Sequence, residues 1–202
     1  TYTGTGANAT VGHGLGVAPK MIIVKRRNNT SDWPVWHSAI PAANYLSLDL
    51  TSASTVGATL WNSTAPTSTT ISVGTSPATN NGADTYVAYC FAAVAGYSAF
   101  GSYTGNGSTD GVFVYLGFRP RFLLLKSSSA VGGWIIYDSS RNTYNVMGYE
   151  IYPNSSAAEG SYTDLDFLSN GFKMRVATAP NDAQTYVYAA FAENPFRLSL
   201  AR

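Results

Sequence analysis

The sequence predicts an all-β protein of two tandem, homologous β-sandwich or jelly-roll-like units, residues 1–98 and 99–202. Three observations lead there: the chain repeats itself, its apolar residues fall in runs of strand length, and its polar residues suit turns and sheet surfaces. The repeat weighs most. Tyr2-Thr3-Gly4-Thr5-Gly6 returns as Tyr103-Thr104-Gly105-Asn106-Gly107, an offset of 101. The same offset pairs Leu15-Gly16 with Leu116-Gly117, Pro19 with Pro120, Lys25 with Lys126, Trp33 with Trp134 and Trp36 with Tyr137. Residues 2–38 hold 11 identities with their counterparts, where composition would give about two. Further on, Trp61 matches Tyr162 and Ile71-Ser72-Val73 matches Phe172-Lys173-Met174. One residue is then lost, and Thr85 to Ala92 matches Thr185 to Ala192 at an offset of 100. The boundary is expected near Gly96 to Gly101.

The predicted strands follow in chain order, each named with its counterpart. Met21 to Val24 (Phe122 to Leu125) is a continuous apolar run preceded by a proline and closed by a lysine. It is too short for a helix and fits a strand buried on both faces. Val35 to His37 (Ile135 to Tyr137) comes next, then Tyr45 to Leu50 (Val146 to Tyr152). The latter alternates from Leu46 onward, which gives one apolar and one polar face. Thr59 to Asn62 (Tyr162 to Phe167) and Thr70 to Val73 (Phe172 to Val176) are the next pairs. Tyr86 to Ala92 (Tyr186 to Ala192) closes each copy. Between them lie turn-forming stretches such as 28–32, 127–133, 169–171 and 179–182. Short strands at regular spacing with turn chemistry between them are the pattern of a sandwich or jelly roll. Helix above about 20% would contradict it. Trp33 and Trp134 are expected to be matching core anchors.

Composition agrees. Hydrophobic residues make up 45%, enough for ordinary cores, and charged residues only 11%, against about 25% in a typical domain. Ser, Thr, Asn and Gly take their place, and these are poor helix-surface residues. The net charge is +1, spread evenly over both halves. Lys25-Arg26-Arg27 is the one basic run and reads as a solvated strand end, so nucleic-acid binding, which needs clustered cations, is not expected. No apolar run approaches the length of a membrane helix. Cys90 is single, so no intrachain disulfide forms. The start at Thr1, without Met or signal-like segment, reads as a processed or excised portion of a longer chain. The N-x-S/T patterns at Asn8, Asn28, Asn29, Asn62, Asn106 and Asn154 are expected by chance in so Ser/Thr-rich a chain.

Little in the sequence carries chemistry, and no catalytic, cofactor or metal residue is assigned. His13, His37 and Cys90 share no metal-site spacing, and the second copy has Val114, Asp138 and Ala190 at the matching positions. Gly12-His13-Gly14-Leu15-Gly16 resembles a phosphate loop but leads through Val17-Ala18-Pro19 into a strand, where a phosphate loop needs a helix. No Gly-x-Ser-x-Gly elbow occurs. Asp164 and Asp166 fall on one face of a predicted strand and could serve glycoside hydrolysis, yet the first copy has neither. A Ca²⁺ site from Asp164, Asp166 or Asp182 is conceivable, though no spacing demands it. The 14 tyrosines would suit glycan or protein contact if exposed.

Val11-Gly12-His13-Gly14-Leu15-Gly16-Val17-Ala18-Pro19-Lys20-Met21-Ile22-Ile23-Val24-Lys25, followed by Trp33 and Trp36, resembles a repeat of phage tail-fibre and other virion proteins, common in marine phages. Tyr188-Ala189-Ala190-Phe191-Ala192-Glu193-Asn194-Pro195-Phe196, then Ala201-Arg202, is similar to the C-terminal close of such proteins. In the first copy Phe91-Ala92-Ala93-Val94-Ala95-Gly96-Tyr97 replaces that close. The resemblance implies a non-enzymatic virion structural protein: a tail fibre, a spike or a particle-surface module that presents a host-adhesion surface. It places the chain on an extracellular particle, beside other virion proteins, as a homo-oligomer such as a trimer, facing a host glycan or protein. It also implies that Arg202 lies near the true C-terminus. No heptad segment enforces a trimer. The competing expectations are a secreted, non-viral carbohydrate-binding module and a small polysaccharide depolymerase.

Overall fold

The computed structural model describes residues 1–195; the closing residues Phe196, Ala201 and Arg202 lie outside the described residues. Strand makes up 43% of the described residues and helix 4%, so the fold is all-β. The chain divides into two compact units, Thr1–Ala92 and the residues from Ala93 onward. The division precedes the expected 98/99 boundary because Val94 bridges Ser98 and Ala192 donates its N–H to the Tyr97 carbonyl.

The first unit contains β1 (Tyr2–Thr3), β2 (Ala9–Gly12), β3 (Met21–Arg26), β4 (Pro34–His37), β5 (Asn44–Ser47), β6 (Thr55–Val56), α1 (Ala58–Trp61), β7 (Thr70–Val73), α2 (Pro77–Asn80) and β8 (Thr85–Phe91). Its main sheet has the order β1-β8-β3-β4-β5-β6, and β2 pairs with β7 separately. The second unit contains β9 (Ser98–Thr104), β10 (Phe113–Tyr115), β11 (Pro120–Ser127), β12 (Trp134–Asp138), β13 (Met147–Glu150), β14 (Gly160–Leu168), β15 (Gly171–Met174) and β16 (Thr185–Ala192). Two four-stranded sheets form, β12-β11-β16-β9 and β10-β15-β14-β13. Leu123, Leu125, Tyr137 and Ala190 of one sheet meet Val114, Leu165, Phe167 and Phe172 of the other in one core, which makes this unit a sandwich.

The ladders of the two units share their registers. Met21 faces Phe91 and Arg26 faces Tyr86; Phe122 faces Phe191 and Ser127 faces Tyr186. Ile22 faces Trp36 as Leu123 faces Tyr137. Val11 faces Ile71 and Val114 faces Phe172, although Val114 lies two residues further on than the repeat offset. A slip of two keeps the same face inward, where a slip of one would turn it out. The apolar runs are buried on both faces as expected: Met21, Ile22, Ile23 and Val24 in β3, and Leu123, Leu124 and Leu125 in β11.

The Tyr-Thr-Gly-x-Gly motif explains itself in this frame. Tyr2 stacks on Tyr86 at 5.1 Å between centroids and Tyr103 on Tyr186 at 5.3 Å. The Tyr2 hydroxyl donates to the Thr79 carbonyl at 2.5 Å, and that of Tyr103 to the Pro180 carbonyl at 2.7 Å. Gly4 and Gly105 press against a loop so closely that a Cβ would stand 2.0 Å from the carbonyl oxygen of Asn81 or Asp182. Gly6 and Gly107 have positive φ, 76° and 63°, where a side chain is disfavoured. At the loop's centre Asn80 donates its amide to the carbonyls of Ala7 (2.6 Å) and Gly74 (2.8 Å). Asn181 does the same to Ser108 (2.8 Å) and Val176 (2.7 Å).

Four expectations need correction. Thr59 to Asn62 is not a strand: Ala58–Trp61 forms one helical turn, closed by Asn62 in the left-handed region at φ 50°. Gly74 makes room for it, since a Cβ there would stand 2.0 Å from the Thr59 carbonyl oxygen. The strand expected over Tyr45 to Leu50 ends at Ser47, because Leu50 turns back to donate to the Ser47 carbonyl. The strand expected over Val146 to Tyr152 is limited to Met147–Glu150. Trp134 is buried, at 2% exposure, but Trp33 is only half-buried, with the Lys25 ammonium 5.3 Å from its ring centroid. Both tryptophans still anchor their backbone N–H on a side-chain oxygen, Asp49 Oδ1 at 3.0 Å and Asn154 Oδ1 at 2.6 Å.

Candidate functional site

The residues singled out from sequence do not converge. His13 sits on a loop, its Nδ1 accepting from the Leu15 N–H at 3.2 Å and its Nε2 meeting the Thr67 carbonyl at 3.1 Å. His37 is buried in β4, and its Nδ1 accepts from the Ala39 N–H at 3.1 Å. Cys90 lines a small cleft with His13, and burial pushes its thiol up. Among the described residues no three His, Cys, Asp or Glu side chains gather as a metal site would require. The glycines of Gly12 to Gly16 build a turn, with Gly14 at φ 71° and Gly16 at φ 73°. Of the basic run, Arg26 pairs with Asp84 and Lys25 donates to the Ser31 carbonyl. Asp182 accepts from the Tyr186 hydroxyl. Asp166 is held by Arg175, whose Nε and Nη2 both lie 2.6 Å from its Oδ2.

Asp164 is different, and its partner is not Asp166. It opens onto a cleft of about 680 Å³ in the second unit, lined by Ile135, Glu150, Ser161, Tyr162, Thr163, Asp164, Val176, Thr178 and Ala179. The Tyr137 hydroxyl lies 2.7 Å from Glu150 Oε1 and 3.0 Å from Asp164 Oδ2. The Tyr152 hydroxyl donates to Glu150 Oε2 at 2.5 Å. Glu150 and Asp164 are 6% and 4% exposed, and Tyr137 is fully buried.

Local sequence makes this meeting possible. Met147 pairs with Leu165 but Tyr149 with Ser161, so β14 carries extra residues between them and the ladder is irregular. Such an irregularity redirects side chains, and the two aspartates at 164 and 166 end in separate networks. Gly148 lets the strands approach, since a Cβ would stand 1.9 Å from the Tyr162 carbonyl oxygen. Gly160 leaves room for the rings of Tyr152 and Tyr162.

Burial first, and then the neighbouring Glu150 charge, push the Asp164 carboxyl up to about 7. Burial and both carboxyls hold the Tyr137 hydroxyl protonated far above the ordinary phenol range. Tyr152 is raised by burial and by its bond to Glu150. The arrangement can therefore keep a proton at neutral pH in a low-dielectric place.

Sequence reasoning found Asp164 and missed Glu150, Tyr137 and Tyr152. The available signal was the departure of the second copy from the first, where Trp36, Asp49, Thr51 and Ser63 stand at the positions of Tyr137, Glu150, Tyr152 and Asp164.

A protein-family model, described as a domain of unknown function (DUF7483), matches residues 1–195 and so spans both compact units. No curated protein and no solved structure matches the chain.

Proposed function

We propose that this chain, which belongs to the DUF7483 family, is a non-catalytic structural module of a bacteriophage particle. In this reading it is a duplicated scaffold within a tail fibre, a spike or the particle surface, and it presents a face for host adhesion. One observation carries the structural half of the reading. The residues that repeat between the units, Tyr2/Tyr103, Gly4/Gly105, Gly6/Gly107 and Asn80/Asn181, hold loops to strands. The polar groups of the cleft do not repeat. The viral half rests on the sequence resemblance over Val11 to Lys25 and Tyr188 to Phe196.

The surface supports a contact role. Tyr115, Tyr144 and Tyr162 are 68%, 84% and 57% exposed, with Val131 at 77%. These are large groups on a sparsely charged surface, suited to protein partners or glycan rings. Its partners in this reading are other virion proteins, further copies of itself and a host surface glycan or protein. Among the described residues no helix is long and apolar enough to cross a membrane.

Peptide mass spectrometry on purified virions of the encoding phage tests the proposal. Peptides of this chain are expected at a stoichiometry fixed from particle to particle. Their absence from infectious particles overturns it.

A further inference from the structure

We infer that Tyr137, Glu150 and Asp164 form a proton-dependent clasp: one proton held by the carboxyl pair keeps β12, β13 and β14 joined, and its loss loosens the cleft face of the second unit. A phenol carries one proton, yet the Tyr137 oxygen stands at 2.7 and 3.0 Å from two carboxyl oxygens. It donates to one, and the other contact is a hydrogen bond only when that carboxyl donates to the phenol oxygen. Glu150 already accepts a hydrogen bond from Tyr152 through its other oxygen. The proton therefore belongs to Asp164.

Among the described residues the surroundings offer no substitute for it. Tyr137 faces the pair from β12, Glu150 and Tyr152 from β13 and the segment after it, and Tyr162 and Asp166 lie along β14. Arg175, beyond β15, spends its guanidinium on Asp166 and meets Asp164 only through its backbone N–H, 2.6 Å from the Asp164 carbonyl. Two ionised carboxylates sharing one buried place repel. The direction follows: an acid whose folded pKa is raised stabilises the fold most below about pH 4, the ordinary aspartate range. That contribution is lost as pH rises toward about 7. Both histidines, His13 and His37, lie in the first unit, so no imidazole of the second unit confuses that window.

The test uses the full chain. A ¹³C titration of side-chain carboxyls should show one member of the pair titrating near neutrality. Amide hydrogen exchange in β13 and β14, corrected for intrinsic rates, should show the opening equilibrium rising by up to about tenfold per pH unit across the window. Asp164→Asn, whose amide still offers the phenol oxygen a donor, should abolish that dependence, while Asp166→Asn should leave it. Both carboxyls titrating below about pH 5, or the dependence surviving in Asp164→Asn, overturns the clasp. Should Asp164→Asn not fold, the wild-type titration decides without it.

Discussion

The two units run the same central ladders, β1-β8-β3-β4 and β9-β16-β11-β12, around different fillings. In the first, Trp36 and Trp61 are buried with Leu60 and Ile71, α1 closes over Gly74, and a cleft of about 350 Å³ lies among Pro34, Tyr45, Ser47, Leu60 and Ala78. In the second, the Trp36 position is Tyr137, β14 replaces the helical turn, and two carboxyls line a larger cleft. The counterparts Pro34/Ile135 and Ala78/Ala179 line both clefts, which places them at equivalent points of the scaffold. Among the described residues the buried indole N–H groups of Trp36 and Trp61 have no acceptor, while the Tyr137 hydroxyl has two carboxyl partners. Backbone clamps and the registers of the four central strands are thus held constant, and chemistry varies at the cleft, where one unit tolerates unpaired donors and the other concentrates polar groups.

The sharpest way to break this comparison is at the tryptophans. Trp134→Ala should cost about 3–5 kcal/mol, the price of emptying a buried aromatic site. Trp33→Ala should cost about 1–2 kcal/mol, since it loses partial burial and a cation–π contact worth about 0.5–1 kcal/mol. Urea denaturation of the full chain measures both. Equal losses would mean that the two sites are alike in solution.

The shared clamp should behave in the opposite way. Asn80→Ala and Asn181→Ala each leave buried carbonyls unpaired, at about 2–4 kcal/mol, and the two losses should agree within about 1 kcal/mol. A wide gap would show that the recurring hydrogen bonds are not equivalent supports.

What could be read from the sequence follows the same division. The apolar runs at 21–24 and 122–125 were legible because burial on both faces writes a continuous signal. The Tyr-Thr-Gly-x-Gly repeat was visible because close backbone approach admits only glycine. Strands β1, β2 and β10 were not, since each is short and half-exposed and depends on a partner distant in the chain. The turn at Ala58–Trp61 was misread because four residues carry no period that separates helix from strand. The Glu150–Asp164 pair was hidden for a further reason: the irregular ladder between β13 and β14 decides which way Asp164 turns, and alternation along the strand suggested Asp166 as its neighbour instead.

The smallest expected effect lies at the matched lysines. Lys126 is buried opposite Trp134, donates to the Ser127 carbonyl at 2.7 Å, and is pushed down to about 8 by burial. Between about pH 8 and 10 the unfolded chain holds a proton that the folded second unit has released. Stability should therefore rise with pH there, until the buried tyrosines, raised by burial, oppose it. Lys126→Met should flatten the rise and leave stability at pH 7 unchanged or higher, because it removes a charge from an apolar place. Lys25→Met should instead lower stability by about 0.5–1 kcal/mol, since that ammonium sits over the half-exposed Trp33. Hydrogen exchange in β3 and β11, followed across this range in both variants, reads the two units separately. Opposite signs at positions that match in sequence and ladder would establish that burial, not residue identity, sets what each copy of the scaffold does with its charge.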